Sequence, residues 1–281
     1  MILALAGGVG GARLANGLAQ RLAPRELVVA VNTGDDFEHF GLLVSPDLDT
    51  VMYTLAGRSD AERGWGLAGE TWRFMDALEA LGGDAWFRLG DGDLATHVVR
   101  TARRRAGETL SAVTTDLCRR LGVRHEVVPM SDDPVRTIVH TAEGPLAFQD
   151  YFVRQRCEPA VAGLVFRGAA EARPSPGLDA ALARADLGAI VICPSNPWLS
   201  ILPILEIPGV RERLRERRVP LVAVSPIVGG QAVKGPAAKI MRELGVEASA
   251  IGIAEFYGDL LDGLVIDGID RELKEIGRAH V

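Results

Sequence analysis

The sequence predicts an α/β fold in which a mostly parallel sheet is flanked by helices. Two short aliphatic runs, at residues 2–6 and 27–31, enclose a segment at 12–22 whose leucines recur at helical spacing. A strand, a helix and a strand within about thirty residues form a βαβ unit, whose two strands are parallel. The composition agrees, because 48% of the 281 residues are hydrophobic and only 5% are aromatic, as in many α/β enzymes.

Later segments extend this architecture into one α/β domain that we expect to span residues 1–281. Between residues 51 and 121 the pattern is mainly helical, which predicts a helical insertion over the sheet edge, near the functional site. Residues 137–155, which include Tyr151 and Phe152, predict a small β excursion. Further strands are predicted at residues 127–130, 164–166, 189–193 and 221–225.

Charge and composition argue against several classes of partner. A net charge of −6 disfavours nucleic acid, because binding a polyanion relies on a basic surface. No apolar run reaches the roughly 18 residues that a membrane helix needs, so we expect no membrane partner. Cys118, Cys157 and Cys193 form no CxxC pair, which predicts buried thiols rather than disulfides or a zinc site. Met1 leads directly into a strand, so we expect a cytoplasmic protein.

The first strand opens into a glycine-rich loop, Gly7-Gly8-Val9-Gly10-Gly11. Without side chains, the backbone N–H groups of such a loop can approach a phosphate closely, and the N-terminus of the following helix favours negative charge. The spacing matches neither the P-loop nor the dinucleotide fingerprint. The loop therefore leaves two interpretations open, a phosphate-binding loop and a tight strand-to-helix turn without a ligand.

Four carboxylates follow the second strand within fifteen residues: Asp35, Asp36, Asp47 and Asp49. Hard oxygen ligands of this kind suit Mg²⁺, which completes its shell with water and substrate phosphate. In an extended segment, Asp47 and Asp49 would lie on one side of the chain. The alternative is a set of helix caps and Asx turns, with Asp49 capping a helix at 50–55.

Three further segments join polar side chains to turn residues. Arg88 lies beside apolar residues and could pair with a phosphate or stack on a planar ring, although it could also be a surface arginine. Ser195 and Asn196 follow a predicted strand and could bind a base or a sugar, but their flanking prolines also fit a rigid turn. Lys234 supplies the charge of a possible second anion loop.

Seven segments, in this order and at this spacing, resemble the 2-phospho-L-lactate transferase (CofD-like) family of coenzyme F420 biosynthesis. They are LAGGVGGARLANGLA, VNTGDD, SPDLDTVMYTLAG, GWGLAGETW, WFRLGD, CPSNPWLSI and VSPIVGGQAVKGP. The third segment is the most specific one, because a sister group of nucleotide-sugar-binding regulatory proteins shares the glycine loop but lacks it. Membership of that non-catalytic group is the alternative interpretation.

The resemblance implies a Rossmann-like fold, a homodimer and an enzyme that requires Mg²⁺. Such an enzyme joins the hydroxyl of the deazaflavin Fo to a phosphorylated three-carbon acid, carried as a guanosine diphosphate ester, and releases GMP. Asp49 and Arg88 would contact Fo, and Asp35 and Asp49 would hold the metal, with Asp49 catalytic as base or ligand. By the same resemblance, Gly7, Gly8, Gly10 and Gly11 bind the diphosphate, and Ser195 and Asn196 are candidates for the guanosine end.

Two features depart from the family pattern. Gly92 stands where a basic residue is expected, which removes a phosphate contact from that position. Residues 276–281 end a stretch that can be back-translated into a sequencing-adapter read, so we expect them to be a non-native tail. The motifs do not distinguish phospholactate, phosphoenolpyruvate and phosphoglycerate as the donor acid.

Overall fold

A six-stranded sheet forms the centre of the computed structural model, which describes residues 1–273. The strands are β1 (Ile2–Ala6), β2 (Leu27–Val31), β3 (Phe37–His39), β4 (Leu42–Val44), β5 (Glu126–Pro129), β6 (Arg136–Thr141), β7 (Gly144–Ala147), β8 (Val161–Arg167), β9 (Ala189–Ile192), β10 (Leu221–Val224), β11 (Ile227–Val228), β12 (Gln231–Ala232) and β13 (Gly263–Val265). The central sheet has the order β13-β10-β9-β1-β2-β5, and every neighbouring pair is parallel. The predicted α/β class with a parallel sheet is confirmed.

Helices cover both faces of this sheet and fill the connections between its strands. They are α1 (Gly8–Ala19), α2 (Pro46–Leu55), α3 (Arg73–Ala80), α4 (Asp91–Arg105), α5 (Leu110–Leu121), α6 (Pro176–Ala183), α7 (Leu202–Leu205), α8 (Val210–Arg215), α9 (Ala237–Glu243) and α10 (Ala250–Tyr257). The first helix begins at Gly8 instead of the predicted residue 12, because glycines carry no hydrophobic periodicity from which its first turn could be recognised. Within the described residues, no helix combines the length and apolar character required to span a membrane.

The core consists of two apolar clusters, one on each face of the sheet. Leu3 and Leu5 of β1 belong to one cluster, whereas Ala4 and Ala6 belong to the other. This division follows from the strand geometry, in which successive side chains point to opposite faces. Because helices cover both faces, the strands appear in the sequence as continuous apolar runs rather than alternating ones.

Three parts of the fold differ from the sequence predictions. The strand predicted at 164–166 belongs to β8, which pairs with β6 in a separate antiparallel sheet of order β7-β6-β8. Tyr151 and Phe152 lie in a helical turn, Asp150–Arg154, rather than in a strand. The edge strand β13 was not predicted, because its three residues include a glycine and form no apolar run of strand length. Residues 276–281, predicted to be a non-native tail, lie outside the described residues.

The chain between β2 and β5 contains the hairpin β3-β4 and then the helices α2 to α5. Cys118 and Cys193 are buried as predicted, but Cys157 is only half-buried. The strand order reverses at β1, because the chain proceeds from β1 to β2 on one side and later to β9 on the other. The loops after β1 and β9 therefore diverge at a topological switch point, where open α/β sheets form their binding crevices.

Candidate active site

A cleft of about 1250 Å³ opens at the edge of the sheet formed by the carboxyl ends of its strands, beside the loops after β1 and β9. Single small-molecule pockets measure roughly 300 to 1000 Å³, so this cleft has room for two small molecules at once. Seven Tyr, Trp and Phe side chains line it: Tyr53, Trp65, Trp72, Trp86, Phe87, Phe148 and Phe152. Of the site residues predicted from the sequence, all except Gly11 line the cleft: Gly7, Gly8, Gly10, Asp35, Asp49, Arg88, Ser195 and Asn196.

The glycine loop is fastened to the protein by hydrogen bonds from its own backbone. The Gly7 N–H donates to the Ser195 hydroxyl oxygen at 3.0 Å, and the Gly8 N–H donates to Oδ1 of Asp47 at 2.7 Å. These two N–H groups are thus engaged inside the protein rather than offered to a phosphate. The first turn of a helix leaves its N–H groups without intrahelical partners. The residues of this turn that line the cleft and can offer such donors are Val9 and Gly10.

Close packing explains why this loop is made of glycines. A Cβ on Gly10 would lie 2.2 Å from the carbonyl oxygen of Pro194, and one on Gly11 would lie 2.5 Å from Oγ of Ser195. Gly8 adopts a φ of +60°, a left-handed conformation that glycine enters without a steric penalty. The tight-turn interpretation therefore accounts for the glycines, and the helix N-terminus supplies the remaining potential for anion binding.

Behind the loop lies a buried cluster of carboxylates. Burial raises the pKa of Asp36 to about 7 and that of Asp47 to about 6. The pKa of Asp35 is raised well above its ordinary value, first by burial and then by the neighbouring charge of Asp47. Hydrogen bonds from Asn32 to Asp47 at 3.0 Å and from Ser45 to Asp36 at 2.8 Å favour the ionised carboxylates and so limit the rise of these two pKa values.

This cluster has the chemistry of a site for a hard divalent cation. Oδ1 of Asp35 is buried and has no hydrogen-bond partner within residues 1–273. A cation bound there would satisfy this oxygen and relieve its repulsion with Asp47, and carboxylate oxygens are the ligands that Mg²⁺ takes. Among the neighbouring charges, that of Asp47 raises the pKa of Asp35 most. The pairing of Asp35 with Asp49 as metal ligands stays a prediction.

Asp47 and Asp49 have different surroundings because both lie in the helix α2, not in an extended segment. Residues two apart on a helix do not share a face, so the extended geometry that would place both side chains on one side does not occur here. Oδ1 of Asp49 contacts Nη2 of Arg100, and Oδ2 lies 3.1 Å from Nη1 of the same guanidinium. Asp49 is therefore one half of a buried ion pair.

Arg100 belongs to a polar network that joins α2 to α4. Its Nη1 lies 3.2 Å from Nδ1 of His97, whose Nε2 lies 3.4 Å from Oδ1 of Asp93. The hydroxyl of Tyr53 donates to the same Asp93 oxygen at 2.7 Å. A mainly helical pattern was predicted from the sequence for this part of the chain, but this network was missed. The spacing of Asp93, His97 and Arg100 at i, i+4 and i+7, which puts them on one face of α4, is the signal that could have revealed it.

Arg88 stands at the rim of the cleft, with 42% of its side chain exposed. Its Nη2 donates to Asp76 at 2.8 Å, and its guanidinium carbon lies 5.5 Å from the ring centroid of Trp72. Stacking on an aromatic ring, one of the three interpretations left open by the sequence, is thus present within the protein itself. Trp72, which was not identified from the sequence, lines the cleft beside Arg88.

Asn196 and Lys234 both hold loops of the cleft. The side-chain oxygen of Asn196 accepts hydrogen bonds from the N–H groups of Trp198 and Leu199 at 3.0 and 3.1 Å, so it caps a helical turn. Its amide nitrogen is buried without a partner in the described part of the chain, and the residue lines the cleft. Lys234 donates to the carbonyl of Arg63 at 3.0 Å and so bridges two cleft loops.

Comparison with known proteins matches residues 2–279 to the family described as 2-phospho-L-lactate transferase CofD. A phosphoenolpyruvate transferase of Streptomyces coelicolor is 46% identical over 277 residues, which cover 96% of this chain and 86% of the relative. A 2-phospho-L-lactate transferase of Methanosarcina mazei is 43% identical over 270 residues, which cover 96% and 88%.

A solved structure supports the fold independently of these relatives. A Bacillus halodurans protein of the upf0052 family superimposes with a TM-score of 0.62 over 95% of this chain and 80% of its own. Its sequence identity of 16% limits that likeness to the fold. The family match and the transferase relatives extend over nearly the whole chain, and the glycine loop, carboxylates and cleft lie within the matched region. The chain therefore belongs to the CofD family of transferases, the 2-phospho-L-lactate transferase family of coenzyme F420 biosynthesis.

Proposed function

We propose that this protein joins the terminal hydroxyl of Fo to a phosphorylated three-carbon acid that arrives as its guanosine diphosphate ester. The donor acid is of the phospholactate, phosphoenolpyruvate or phosphoglycerate type, and GMP is released. The observation that carries the proposal is a single cleft, large enough for two substrates, in which helix N–H donors, buried carboxylates and an aromatic–arginine rim face one space. We also expect a cytoplasmic protein, and the family resemblance implies a homodimer.

Each wall of the cleft suits one substrate. The N–H groups at the start of α1 favour the negative charge of the donor diphosphate. The partnerless amide of Asn196 offers a hydrogen-bond donor to the guanosine end. The rim formed by Arg88 and Trp72 suits the planar ring of Fo, because both side chains stack on flat aromatic systems.

The reaction forms one phosphorus–oxygen bond and breaks another. The Fo hydroxyl oxygen attacks the phosphorus nearest the three-carbon acid, Asp49 accepts the hydroxyl proton, and the bond to the GMP oxygen breaks. Negative charge grows on the nonbridging oxygens, where helix N–H groups stabilise it. Asp35 and Asp47 would hold Mg²⁺ through their carboxylate oxygens, and the ion would neutralise phosphate charge in the bound state.

The test is to incubate the purified protein with Fo, Mg²⁺ and each of the three guanylylated acids in turn. We expect stoichiometric GMP and a phosphodiester of Fo with at least one donor, and the preferred acid identifies the physiological class. Omitting Fo is the control for simple hydrolysis of the donor. No product with any donor, together with tight binding of a nucleotide sugar, would contradict the proposal and favour a regulatory binding protein.

A further inference from the structure

We infer that Arg100 is a positioning residue for the transfer, acting through the carboxylate of Asp49; this inference rests on the proposed function. Asp49 lines the cleft, whereas Arg100 does not. Arg100 is 1% exposed and contacts Asp49 from within the protein. The guanidinium contacts two residues that line the cleft, Asp49 and His97, and it holds Asp49 by both carboxylate oxygens.

The contact between the two residues fixes the carboxylate in orientation as well as in place. Both carboxylate oxygens of Asp49 contact separate guanidinium nitrogens of Arg100, and Nη1 also lies 3.5 Å from the carbonyl of Leu43. A two-point contact of this kind restricts rotation of the carboxylate plane. An ionised carboxylate has about four acceptor sites, so Asp49 can still accept a further hydrogen bond from a hydroxyl in the cleft.

Arg100 is itself held by the network on α4. Because a guanidinium N–H can only donate, the contact of Nη1 with His97 makes Nδ1 of His97 the acceptor. The other ring nitrogen, Nε2, faces Oδ1 of Asp93 at 3.4 Å. Tyr53 of α2 closes the network by donating to Asp93. The chain of contacts therefore returns to the helix that carries Asp49.

Stability alone is a weak reason for this arrangement. Burying a guanidinium and a carboxylate removes both from water, and replacing such a pair by apolar side chains is often neutral or stabilising. A reaction, in contrast, requires a fixed carboxylate, because a displacement of about 1 Å from a productive geometry can lower a rate about 100-fold. The buried pair is thus better explained by the position that it gives Asp49 than by the energy that it adds.

The first test is Arg100→Lys, which keeps the buried positive charge but loses the two-point contact. We expect kcat to fall about 10- to 100-fold, with little change in the KM of the donor. The matched control is Arg103→Lys on the same helix, where Arg103 binds Glu108 and Asp116 and does not line the cleft. A folded Arg100→Lys variant with wild-type kcat would contradict the inference.

A double-mutant cycle keeps the inference testable if Arg100→Lys is poorly folded. Asp49→Asn leaves the buried charge of Arg100 unpaired, whereas Asp49→Asn combined with Arg100→Met removes both charges. If Arg100 acts through Asp49, the double variant has the kcat of Asp49→Asn within about twofold and melts at a higher temperature. Losses of kcat that multiply would overturn the inference.

The wild-type reaction separates the two proposals. An inactive wild type, assayed with Fo, Mg²⁺ and all three donors, contradicts the proposed function and the positioning role with it. An active wild type together with a fully active Arg100→Lys variant contradicts the positioning role alone. The expected result is an active wild type, an active Arg103→Lys control and an Arg100→Lys variant whose defect lies in kcat.

Discussion

Ser195 and Gly7 exchange two hydrogen bonds across the switch point of the sheet. The Gly7 N–H donates to Oγ of Ser195 at 3.0 Å, and the Ser195 hydroxyl donates to the Gly7 carbonyl at 2.8 Å. The two residues follow β1 and β9, which are neighbouring strands. One buried hydroxyl therefore fixes the distance between the glycine loop and the opposite wall of the cleft.

Replacing Ser195 by Ala should lower both the stability of the fold and the affinity for the donor. The change leaves a buried N–H and a buried carbonyl unpaired, which costs about 1 to 3 kcal/mol of unfolding free energy. We expect the KM of the donor to rise because the glycine loop loses its anchor. Denaturant unfolding and steady-state kinetics measure the two effects.

Ser131→Ala is the matched control for this prediction. The buried Ser131 hydroxyl also makes two backbone hydrogen bonds, accepting from the Asp133 N–H and donating to the Arg173 carbonyl, but it does not line the cleft. Its loss should lower stability similarly without moving the glycine loop. Equal donor KM values in the two variants would show that the Ser195 bridge does not position the donor.

Gly10→Ala tests the close packing of the glycine loop. The added Cβ would lie 2.2 Å from the carbonyl oxygen of Pro194, so one backbone segment has to move, and we expect at least a 10-fold loss of kcat/KM. Gly17→Ala in the same helix has nothing within 4 Å of the new Cβ and should add about 0.5 to 1 kcal/mol of stability. Comparable melting temperatures and activities for the two variants would refute the packing argument.

The sequence predicts the fold better than it predicts the site. Aliphatic runs such as residues 27–31 specify buried parallel strands directly, since both faces of the sheet are covered. The glycine loop and three of the four carboxylates, Asp35, Asp47 and Asp49, also line the cleft that their positions after strands suggest. These signals lie within short segments, so they can be recognised in the sequence without knowledge of the tertiary structure.

The division of labour among the charged residues could not be predicted in the same way. Asp47 and Asp49 have different surroundings because their segment is helical. In an extended segment, their side chains would instead lie on one side. Arg100 lies near a run of arginines at 103–105, and helical spacing alone does not show which of these side chains faces the interior. Its partner is 51 residues away in the chain, so only the tertiary packing of α4 against α2 identifies it.

The carboxylate cluster predicts an unusual dependence of stability on pH. The pKa of Asp36 in the folded state is about 7, above the unfolded value of about 3.9. Between these values the folded state binds a proton that the unfolded state does not, so the free energy of unfolding falls as pH rises. Without Mg²⁺, we expect the melting temperature to decrease from about pH 5 to about pH 8.

Mg²⁺ should restore part of the melting temperature that is lost as pH rises. Protons and the cation compete for the carboxylates of Asp35 and Asp47. We therefore expect millimolar Mg²⁺ to raise the melting temperature more at about pH 8 than at about pH 5. Asp36→Asn should flatten the metal-free pH profile, and Asp35→Asn should remove the response to Mg²⁺. A Mg²⁺ response in Asp35→Asn equal to that of the wild type would place the ion elsewhere.

Arg88→Ala should impair the binding of Fo without harming the fold. The ion pairs of Arg88 with Asp76 and Glu79 are largely exposed, and such pairs contribute about 0 to 1 kcal/mol. Its position over Trp72 at the rim lets it contact a flat ring in the cleft. We expect the KM of Fo to rise about 10-fold, since losing a stacked cation can cost 1 kcal/mol or more.

The control is Arg154→Ala, because Arg154 also forms exposed ion pairs and lies over a tryptophan but has no access to the cleft. Arg154 pairs with Asp84 at 2.8 Å and lies 4.6 Å from the ring centroid of Trp86, but it does not line the cleft. Its removal should leave the KM of Fo within about twofold of the wild type, while the melting temperature changes as little as in Arg88→Ala. If both variants raise that KM equally, the effect is due to the aromatic rim as a whole, and Arg88 has no contact with Fo of its own.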